Sequence, residues 1–495
     1  MSLAMAGVYV PRSPTTGVLY GVVRTHLAAF LAEVEGHSDG LPPFVVGEFR
    51  KFLRCGVLAH GFARVRCGDC AFERLVPFSC KGRGFCPSCG GRRMAERAAH
   101  LVEHVLPPDV PVRQWVLSVP PRLRYRLAYD HRLCRRVLAV FVRALRSGYR
   151  RAARRQGLVG GETGMVTAVQ RFGGALNLHV HFHTLVLDGV FVRATDGTLA
   201  FHPAGPPTDD DVRRVVARVR RRLARLGVTA APDADGKVDP LADESGALAG
   251  LAQAAVLGRA ALGRRTGRGP LRVGADPDAP WVDRVVPLHA HEAGFDLHAA
   301  VHVAAGSPAR LAQLCCYLCR PPLGQQRVRP LRDGRIAVAL QRPWADGTTH
   351  LVFTPTELLG RLVPLVPRPR INLLLYHGVL APNAPWRRAV VEREHGADTT
   401  VPAGPSPPGT PGAAVTAEVA KLPRRRPRYR TWAELMRRAF EADVLACPRC
   451  GGRMIVLATI EDPAVIHRIL THLGLSTETG EPLRGRAPPE TGEVW

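Results

Sequence analysis

The sequence predicts a central domain of the α+β or α/β class that lies between two smaller cysteine-bearing modules. Three observations support this organisation. Strand-like and helix-like segments alternate through residues 111–395. Cysteines cluster before and after that region, at residues 67–89 and 447–450. A chain of 495 residues is also long enough for two to four domains with a well-buried core.

The individual elements follow from apolar spacing, glycine turns and prolines. Helices are expected at residues 17–35, 131–155, 208–227, 308–319 and 355–363. Strands are expected at residues 114–119, 165–172, 176–187, 295–303, 335–340 and 348–353. Gly173 and Gly174 would form the turn of a hairpin between the second and third of these strands. The corresponding regions are an N-terminal module (1–110), a central domain (111–395) with a helical insertion around 204–285, a flexible basic linker (396–430) and a C-terminal module (431–495).

The charge balance favours a nucleic-acid partner. Lysine and arginine number 68 against 42 acidic residues, which gives a formal net charge of +26. An excess of this size indicates a polyanion, either nucleic acid or a membrane surface. No run of about 18 apolar residues is present, and the N-terminus lacks the regions of a signal peptide. We therefore expect a cytoplasmic protein without a membrane partner, and basic segments 213–225 and 424–430 could contact a DNA backbone or simply be solvated.

Two CxxC pairs near the N-terminus predict a structural Zn²⁺ site. Fifteen residues separate the two pairs, and at that spacing four thiolates can reach one tetrahedral ion. The predicted ligands are Cys67, Cys70, Cys86 and Cys89. Further ligand types lie nearby, namely Cys55, His60 and Cys80. In the C-terminal module, Cys447 and Cys450 either form a second zinc site with His467 and His472 or belong to a plain turn.

A histidine-rich strand is the most informative segment of the chain. Alternation places Asn177, His179, His181 and His183 on one face of this strand and apolar residues on the other. Two histidines two residues apart on a strand can bind one divalent metal through neutral ring nitrogens. If the glycine turn is tight, Gln170 pairs near Asn177 and its amide joins the same face.

Phosphodiester cleavage at such a metal would also need an aligned nucleophile. The helix at 308–319 supplies Tyr317, and the prolines that follow would fix it near the last helical turn. A lone tyrosine at a helix end is more often a core or interface residue than a nucleophile.

These segments together resemble a known family. The stretch VQRFGGALNLHVHFHTLVLDGVF contains the histidine–hydrophobe–histidine motif of HUH single-strand endonucleases. With CGVLAHGFARVRCGDC, FSCKGRGFCPSCGGRRM, YLCRPPL and ACPRCGG, the chain resembles the rolling-circle transposases of the IS ninety-one and ISCR group, from about residue 45 to 475.

The resemblance implies an N-terminal zinc-binding, DNA-binding domain followed by an HUH catalytic domain with a central antiparallel sheet and flanking helices. It implies His181 and His183 as ligands of a catalytic Mg²⁺ or Mn²⁺ and Tyr317 as the nucleophile. Some relatives have a second tyrosine where this chain has Gln313, so the resemblance points to the single-tyrosine variety. Gln313, Gln170 and His179 are alternatives for a third metal ligand.

The implied reaction is nicking and joining of single-stranded DNA at the ends of an insertion element through a 5′-phosphotyrosine, with transfer to target DNA by a nucleoid-associated enzyme. Three other functions remain open: a non-catalytic zinc-dependent regulator that binds DNA, an HUH replication initiator or relaxase, and a metal-dependent hydrolase that uses water.

Overall fold

The α+β class expected from the sequence is confirmed by a computed structural model, which describes residues 13–228, 239–276, 278–279, 286–392, 433–434 and 443–483. The expected linker at 396–430, with its basic run at 424–430, lies outside these residues. Among the described helices, none is long and apolar enough to cross a membrane.

The helices lie on both sides of a set of antiparallel sheets. They are α1 (Val18–His37), α2 (Pro43–Arg54), α3 (Pro87–His104), α4 (Pro121–Tyr129), α5 (His131–Arg155), α6 (Asp209–Arg225), α7 (Pro240–Glu244), α8 (Gly246–Val256), α9 (Pro308–Cys319), α10 (Pro355–Leu362), α11 (Arg387–Val391) and α12 (Pro463–His472). Short 3₁₀ turns occur at Pro14–Thr16, Leu58–His60, Gln325–Arg327 and Val363–Leu365.

The strands in the described residues belong to four sheets. They are β1 (Phe62–Cys67), β2 (Glu73–Pro77), β3 (Val112–Ser118), β4 (Gly164–Phe172), β5 (Leu178–Leu187), β6 (Gly189–Arg193), β7 (Leu199–Pro203), β8 (Leu271–Val273), β9 (His289–Glu292), β10 (Phe295–His298), β11 (His302–Val303), β12 (Val328–Pro330), β13 (Ile336–Ala339), β14 (His350–Phe353), β15 (Leu374–Gly378) and β16 (Met454–Ile460).

The largest sheet has seven strands in the order β15-β4-β5-β3-β10-β9, with β11 also paired to β3, and every pairing is antiparallel. Its middle strands are buried along almost their whole length. The apolar side of β5 contributes Val180 and Phe182 to one core, together with residues of α4 and α5. The opposite side continues from the histidines to Leu185 and Leu187, which join a second core with residues of α3 and α9. Helices therefore cover both faces of the strand that carries the histidines.

The hairpin between β4 and β5 differs from the tight glycine turn expected from the sequence. The Gly173 N–H donates to the Asn177 carbonyl, Leu176 adopts a positive φ of 55°, and the register shifts after Gln170. As a result Gln170 lies opposite His181 rather than opposite Asn177. The longer loop thus brings the amide to the middle of the histidine ladder.

The basic helix α6 begins where its sequence provides a capping box. The Thr208 hydroxyl accepts from the Asp211 N–H, and the Asp211 carboxylate accepts from the Thr208 N–H. One apolar stripe of α6 is buried, and α6 packs against α5. Arg213 and Arg214 form ion pairs with aspartates of the first turn, so part of the basic charge of this helix is compensated within the helix itself.

The C-terminal segment is joined to the N-terminal one through a shared sheet. Strand β16 pairs antiparallel with β1, and β1 pairs with β2, which gives the order β16-β1-β2. Cys67 lies opposite Met454 in this register. Two segments almost 400 residues apart in sequence therefore form one small sheet.

Candidate active site and cysteine clusters

His181 and His183 are neighbours on the same face of β5, and their side chains converge. Their Nε2 atoms are 2.9 Å apart, and the two residues are only 7% and 3% exposed. Burial lowers the pKa of His181 to about 4 and the pKa of His183 well below its ordinary value. Both rings are therefore neutral near pH 7 and can offer ring-nitrogen lone pairs.

Hydrogen bonds to the Nδ1 atoms orient both rings. The Nδ1 of His181 is 2.8 Å from the carbonyl oxygen of His179, so it carries the proton and leaves Nε2 as the lone pair. The Nδ1 of His183 accepts from the side-chain Nε2 of Gln114 on β3 at 3.0 Å, so the proton of this ring lies on Nε2 and faces the Nε2 of His181. Turning the Gln114 amide by 180° would place its oxygen at Nδ1, move the proton to that nitrogen and leave both Nε2 lone pairs facing one point. Sequence reasoning missed Gln114, although a buried polar residue within an apolar strand was a usable signal.

Gln170 connects the histidines to the helix that carries the tyrosine. Its Nε2 donates to the carbonyl oxygens of Leu318 at 2.9 Å and Tyr317 at 3.3 Å, at the end of α9. Its Oε1 is buried and has no hydrogen-bond partner among the described residues. A buried oxygen that accepts no hydrogen bond lowers the stability of a folded protein, so this atom is well placed to bind a cation.

His179 is the other candidate on this face. Its ring stacks on His181 with centroids 4.7 Å apart, and burial lowers the pKa of His179 to about 3. Within the described part of the chain its Nε2 is also buried without a partner. Gln313, in contrast, is exposed on α9, one helical turn before Tyr317.

Tyr317 lies beside the histidine pair at the end of α9. Its ring meets that of His183 edge to face with centroids 5.6 Å apart, and the tyrosine is 44% exposed. The guanidinium of Arg320 lies 4.5 Å from the centroid of the Tyr317 ring, within cation–π distance. Histidines, amide and tyrosine from three elements thus share one half-open site. Arg320 was not singled out from the sequence, where it is one of many arginines.

A basic cleft opens next to this site. Gln170 and Pro321 line it together with arginines from the N-terminal region and from the end of α9. These arginines are Arg83, Arg93, Arg97 and Arg320. A concentration of guanidinium groups beside the histidine pair suits the phosphates of a nucleic-acid strand.

The N-terminal cysteines divide differently from the sequence expectation. Cys86 and Cys89, at the start of α3, come together with Cys55 at the end of α2 and with Cys80. The sulfur atom of Cys89 lies 3.3 Å from the sulfur of Cys80 and 3.7 Å from the sulfur of Cys55. Two of the residues considered only as spare ligands thus complete this cluster.

Cys67 and Cys70 belong to a second cluster with Cys447 and Cys450. The structure therefore does not bring Cys67, Cys70, Cys86 and Cys89 together as the sequence predicted, because the β1–β16 pairing places the first CxxC pair beside the C-terminal segment. His467, His472 and His60 are not part of either cluster.

Asp188, whose role the sequence left open, anchors the end of β5. Both of its carboxylate oxygens accept from the Arg113 guanidinium, at 3.0 Å and 3.1 Å from Nε, and the Tyr149 hydroxyl donates to it at 2.8 Å. Both charged side chains are 6% exposed. The residue therefore belongs to a buried structural network at the end of the histidine strand.

Comparison with protein families gives two matches. A family described as "Transposase zinc-binding domain" matches residues 22–119, and a family described as "Putative transposase" matches residues 164–388. The first segment contains the cluster of Cys55, Cys80, Cys86 and Cys89, and the second contains the histidine pair and Tyr317. No match was found among curated proteins or among solved structures.

Proposed function

Because the chain belongs to the IS ninety-one family of transposases, we propose that it nicks and rejoins single-stranded DNA with Tyr317 as the nucleophile. A transposase cleaves DNA and transfers its strands, and the finer proposal concerns how this one does so. The observation that carries it is the contact of the Tyr317 ring with His183, the second of two buried, neutral histidines whose Nε2 atoms converge.

The residues on the histidine face fit a divalent ion of the Mg²⁺ or Mn²⁺ type. His181 and His183 would hold it through Nε2, and the buried Oε1 of Gln170 is the third ligand that we favour over Gln313 and His179. An oxygen ligand suits these hard cations, whereas the exposed Gln313 would have to leave solvent. When bound, the ion would polarise the scissile phosphate.

The protein's own residues account for the covalent steps. The Tyr317 oxygen attacks phosphorus, the bond between phosphorus and the 3′ oxygen breaks, and the strand becomes attached as a 5′-phosphotyrosine. The phenol proton passes to solvent, which reaches this half-exposed side chain, and the leaving 3′ oxygen takes up a proton. The Arg320 guanidinium lies over the Tyr317 ring, so a positive charge stands close to the phosphate that this tyrosine would attack.

Strand joining is the same chemistry in reverse. A 3′-hydroxyl attacks the phosphotyrosine, and the ester bond energy is conserved, so no nucleotide hydrolysis is required. With Gln313 where relatives have a second tyrosine, each chain supplies one nucleophile. This arrangement fits rolling-circle transposition by a single-tyrosine enzyme acting at the ends of its element and on target DNA.

The DNA strand would run through the basic cleft beside Gln170. Arg83, Arg93 and Arg97 of the zinc-binding region face this cleft together with Arg320, so phosphates on either side of the scissile bond would meet positive charge. A nucleoid association of the enzyme would follow from this affinity.

The test is an adduct assay with the full chain. Labelled single-stranded oligonucleotides from the ends of its own element are incubated with Mn²⁺ and run on a denaturing gel. We expect a protein–DNA adduct with the wild type and none with Tyr317→Phe. Tyr376→Phe is the matched control, because that tyrosine also lies under a guanidinium, that of Arg387 at 5.7 Å, but belongs to strand β15 instead of α9.

The outcomes separate the competing functions. Loss of the adduct with His183→Ala or with a chelator supports metal-assisted attack. Cleavage without an adduct would indicate that water is the nucleophile. DNA binding without cleavage would indicate a non-catalytic regulator. An adduct that persists in Tyr317→Phe would overturn the proposed nucleophile. Comparing Gln170→Ala with Gln313→Ala then decides between the two amides, since only the true ligand shifts the Mn²⁺ requirement.

A further inference from the structure

The second cysteine cluster is built from both ends of the chain. Cys67 and Cys70 lie at and just after the end of β1, and Cys447 and Cys450 lie shortly before β16. The two C-terminal cysteines fall outside both segments that match transposase families. This cluster is therefore separate from the one formed wholly within the zinc-binding segment.

The four sulfur atoms have the spacing of ligands to one tetrahedral ion. All four lie within 4.8 Å of one another, with 3.5 Å between Cys67 and Cys450 and 3.6 Å between Cys70 and Cys447. A tetrahedral Zn²⁺ with Zn–S bonds of about 2.3 Å requires sulfur atoms about 3.8 Å apart. Each sulfur also has close neighbours from the opposite CxxC pair, so the four converge on one point.

The backbone holds each CxxC pair in a tight turn. The Cys447 N–H donates to the Gly452 carbonyl at 2.8 Å, and the Gly451 N–H donates to the Cys447 carbonyl at 2.9 Å. Gly451 has a φ of 76°, which glycine adopts without strain. The Gly68 N–H, in the other turn, donates to the Arg453 carbonyl at 3.2 Å. The two turns are thus tied directly to each other.

The C-terminal segment packs on the N-terminal module through two small apolar cores. Among the described residues, the core around this cluster contains four buried residues, Val65, Cys67, Cys447 and Met454, and the other contains Phe62, Ile466 and Leu470. On β16, Ile455, Val456 and Leu457 are 52%, 61% and 44% exposed. A module with so little buried surface needs another source of stability, and a structural metal is the usual one.

We propose that Cys67, Cys70, Cys447 and Cys450 bind a second structural Zn²⁺, which fastens the C-terminal segment to the N-terminal module. In sequence, all strands of the central sheet fall between the two CxxC pairs. The ion would therefore close a loop of the chain that contains the whole central domain. Loss of this ion frees β16 from β1 and leaves the first cluster intact. This inference does not depend on the nuclease chemistry proposed above.

The test measures zinc in the intact, full-length chain. We expect two zinc ions per chain by elemental analysis and by native mass spectrometry. The double variant Cys447→Ser/Cys450→Ser should retain one, and Cys67→Ser/Cys70→Ser should retain one as well. Cys134→Ala is the matched control, a buried cysteine outside both clusters, and should retain two.

Hydrogen exchange supplies a measurement that does not depend on metal counting. In Cys447→Ser/Cys450→Ser, the amides of β16 should lose protection while those of β5 keep theirs, which shows that the central domain remains folded. A wild-type chain with a single zinc ion, or a double variant that still holds two, would overturn the proposal. Two disulfides in place of the ion would overturn it too, and they would be detected as cysteines that resist alkylation without reductant even in denaturant and chelator.

Discussion

Removing the Asp188 carboxylate should destabilise the protein strongly, because it leaves a buried arginine without its counter-charge. Arg113 and Asp188 are each 6% exposed, and their closest approach is 2.8 Å. Arg113 also donates to the Ala299 carbonyl at 3.1 Å, so its guanidinium cannot simply turn to solvent. Breaking a buried pair of this kind costs about 3–5 kcal/mol, whereas replacing both partners with apolar residues costs little. The Tyr149 hydroxyl would lose its acceptor as well.

The measurement is a urea-unfolding cycle on wild type, Asp188→Ala, Arg113→Met and the double variant. Tryptophan fluorescence can follow the unfolding, and Trp115 lies beside this network, since its indole N–H donates to the Tyr149 hydroxyl at 3.2 Å. We expect each single variant to lose about 3–5 kcal/mol of unfolding free energy and the double variant to lose much less than their sum.

A loss below about 1 kcal/mol in Asp188→Ala would refute the reasoning, since it would mean that the guanidinium finds solvent or another partner. Strictly additive losses would refute it also. Because Asp188 acts on the end of the histidine strand and not on a metal, a folded Asp188 variant should keep an unchanged Mn²⁺ requirement in the adduct assay.

Two further perturbations test other parts of the structure. In Gly90→Ala the new Cβ would lie 2.6 Å from the Pro321 Cβ, which forces α3 away from the end of α9. We expect at least a tenfold loss of adduct formation, which corresponds to about 1.4 kcal/mol in the barrier. The zinc content should stay unchanged. Gly91→Ala, whose Cβ meets nothing within 4 Å, is the control and should behave as wild type. Burial lowers the pKa of His377 from 6.5 to about 4, so its neutral form contributes stability above pH 6.5 that is lost as the pH falls toward 4. Between about pH 7 and about pH 5 the wild type should lose about 2 kcal/mol more unfolding free energy than His377→Leu, as measured by denaturant titration at each pH. Equal losses in the two proteins would contradict the lowered pKa of His377.

Much of the central domain could be predicted because its signals are local. Helix α5 begins at an aspartate that caps it, with the Asp130 carboxylate accepting from the Leu133 N–H, and it ends in the predicted place. Helix α9 begins with Pro308 and ends before Pro321, so its bounds also match. The alternation in β5 predicted which residues share a face, and the structure has His181 and His183 on one side with Phe182 in the core on the other.

The cysteine grouping could not be predicted because it depends on a contact between distant segments. Spacing along the chain made Cys86 and Cys89 the natural partners of Cys67 and Cys70. The pairing of β1 with β16 overrides that spacing, and no local feature of either strand specifies it. The loop after Gly173 also differs from the prediction. Its extra residues place Gln170 opposite His181, four positions along β5 from the expected Asn177, and turn composition alone did not reveal this change.

The two cysteine clusters lie in different parts of the molecule. Only the first, which contains Cys86 and Cys89, is connected to Tyr317 by direct packing. Cys86 and Cys89 set the start of α3, and Gly90 in the next position packs against Pro321, just beyond Tyr317. A disturbance of the first cluster should therefore shift α3 against α9 and reach Tyr317, the proposed nucleophile, through the packed backbone. The second cluster contacts the small β16-β1-β2 sheet instead. Loss of metal from the first cluster should thus affect strand cleavage directly, whereas loss from the second should release the C-terminal segment and leave the geometry around Tyr317 in place.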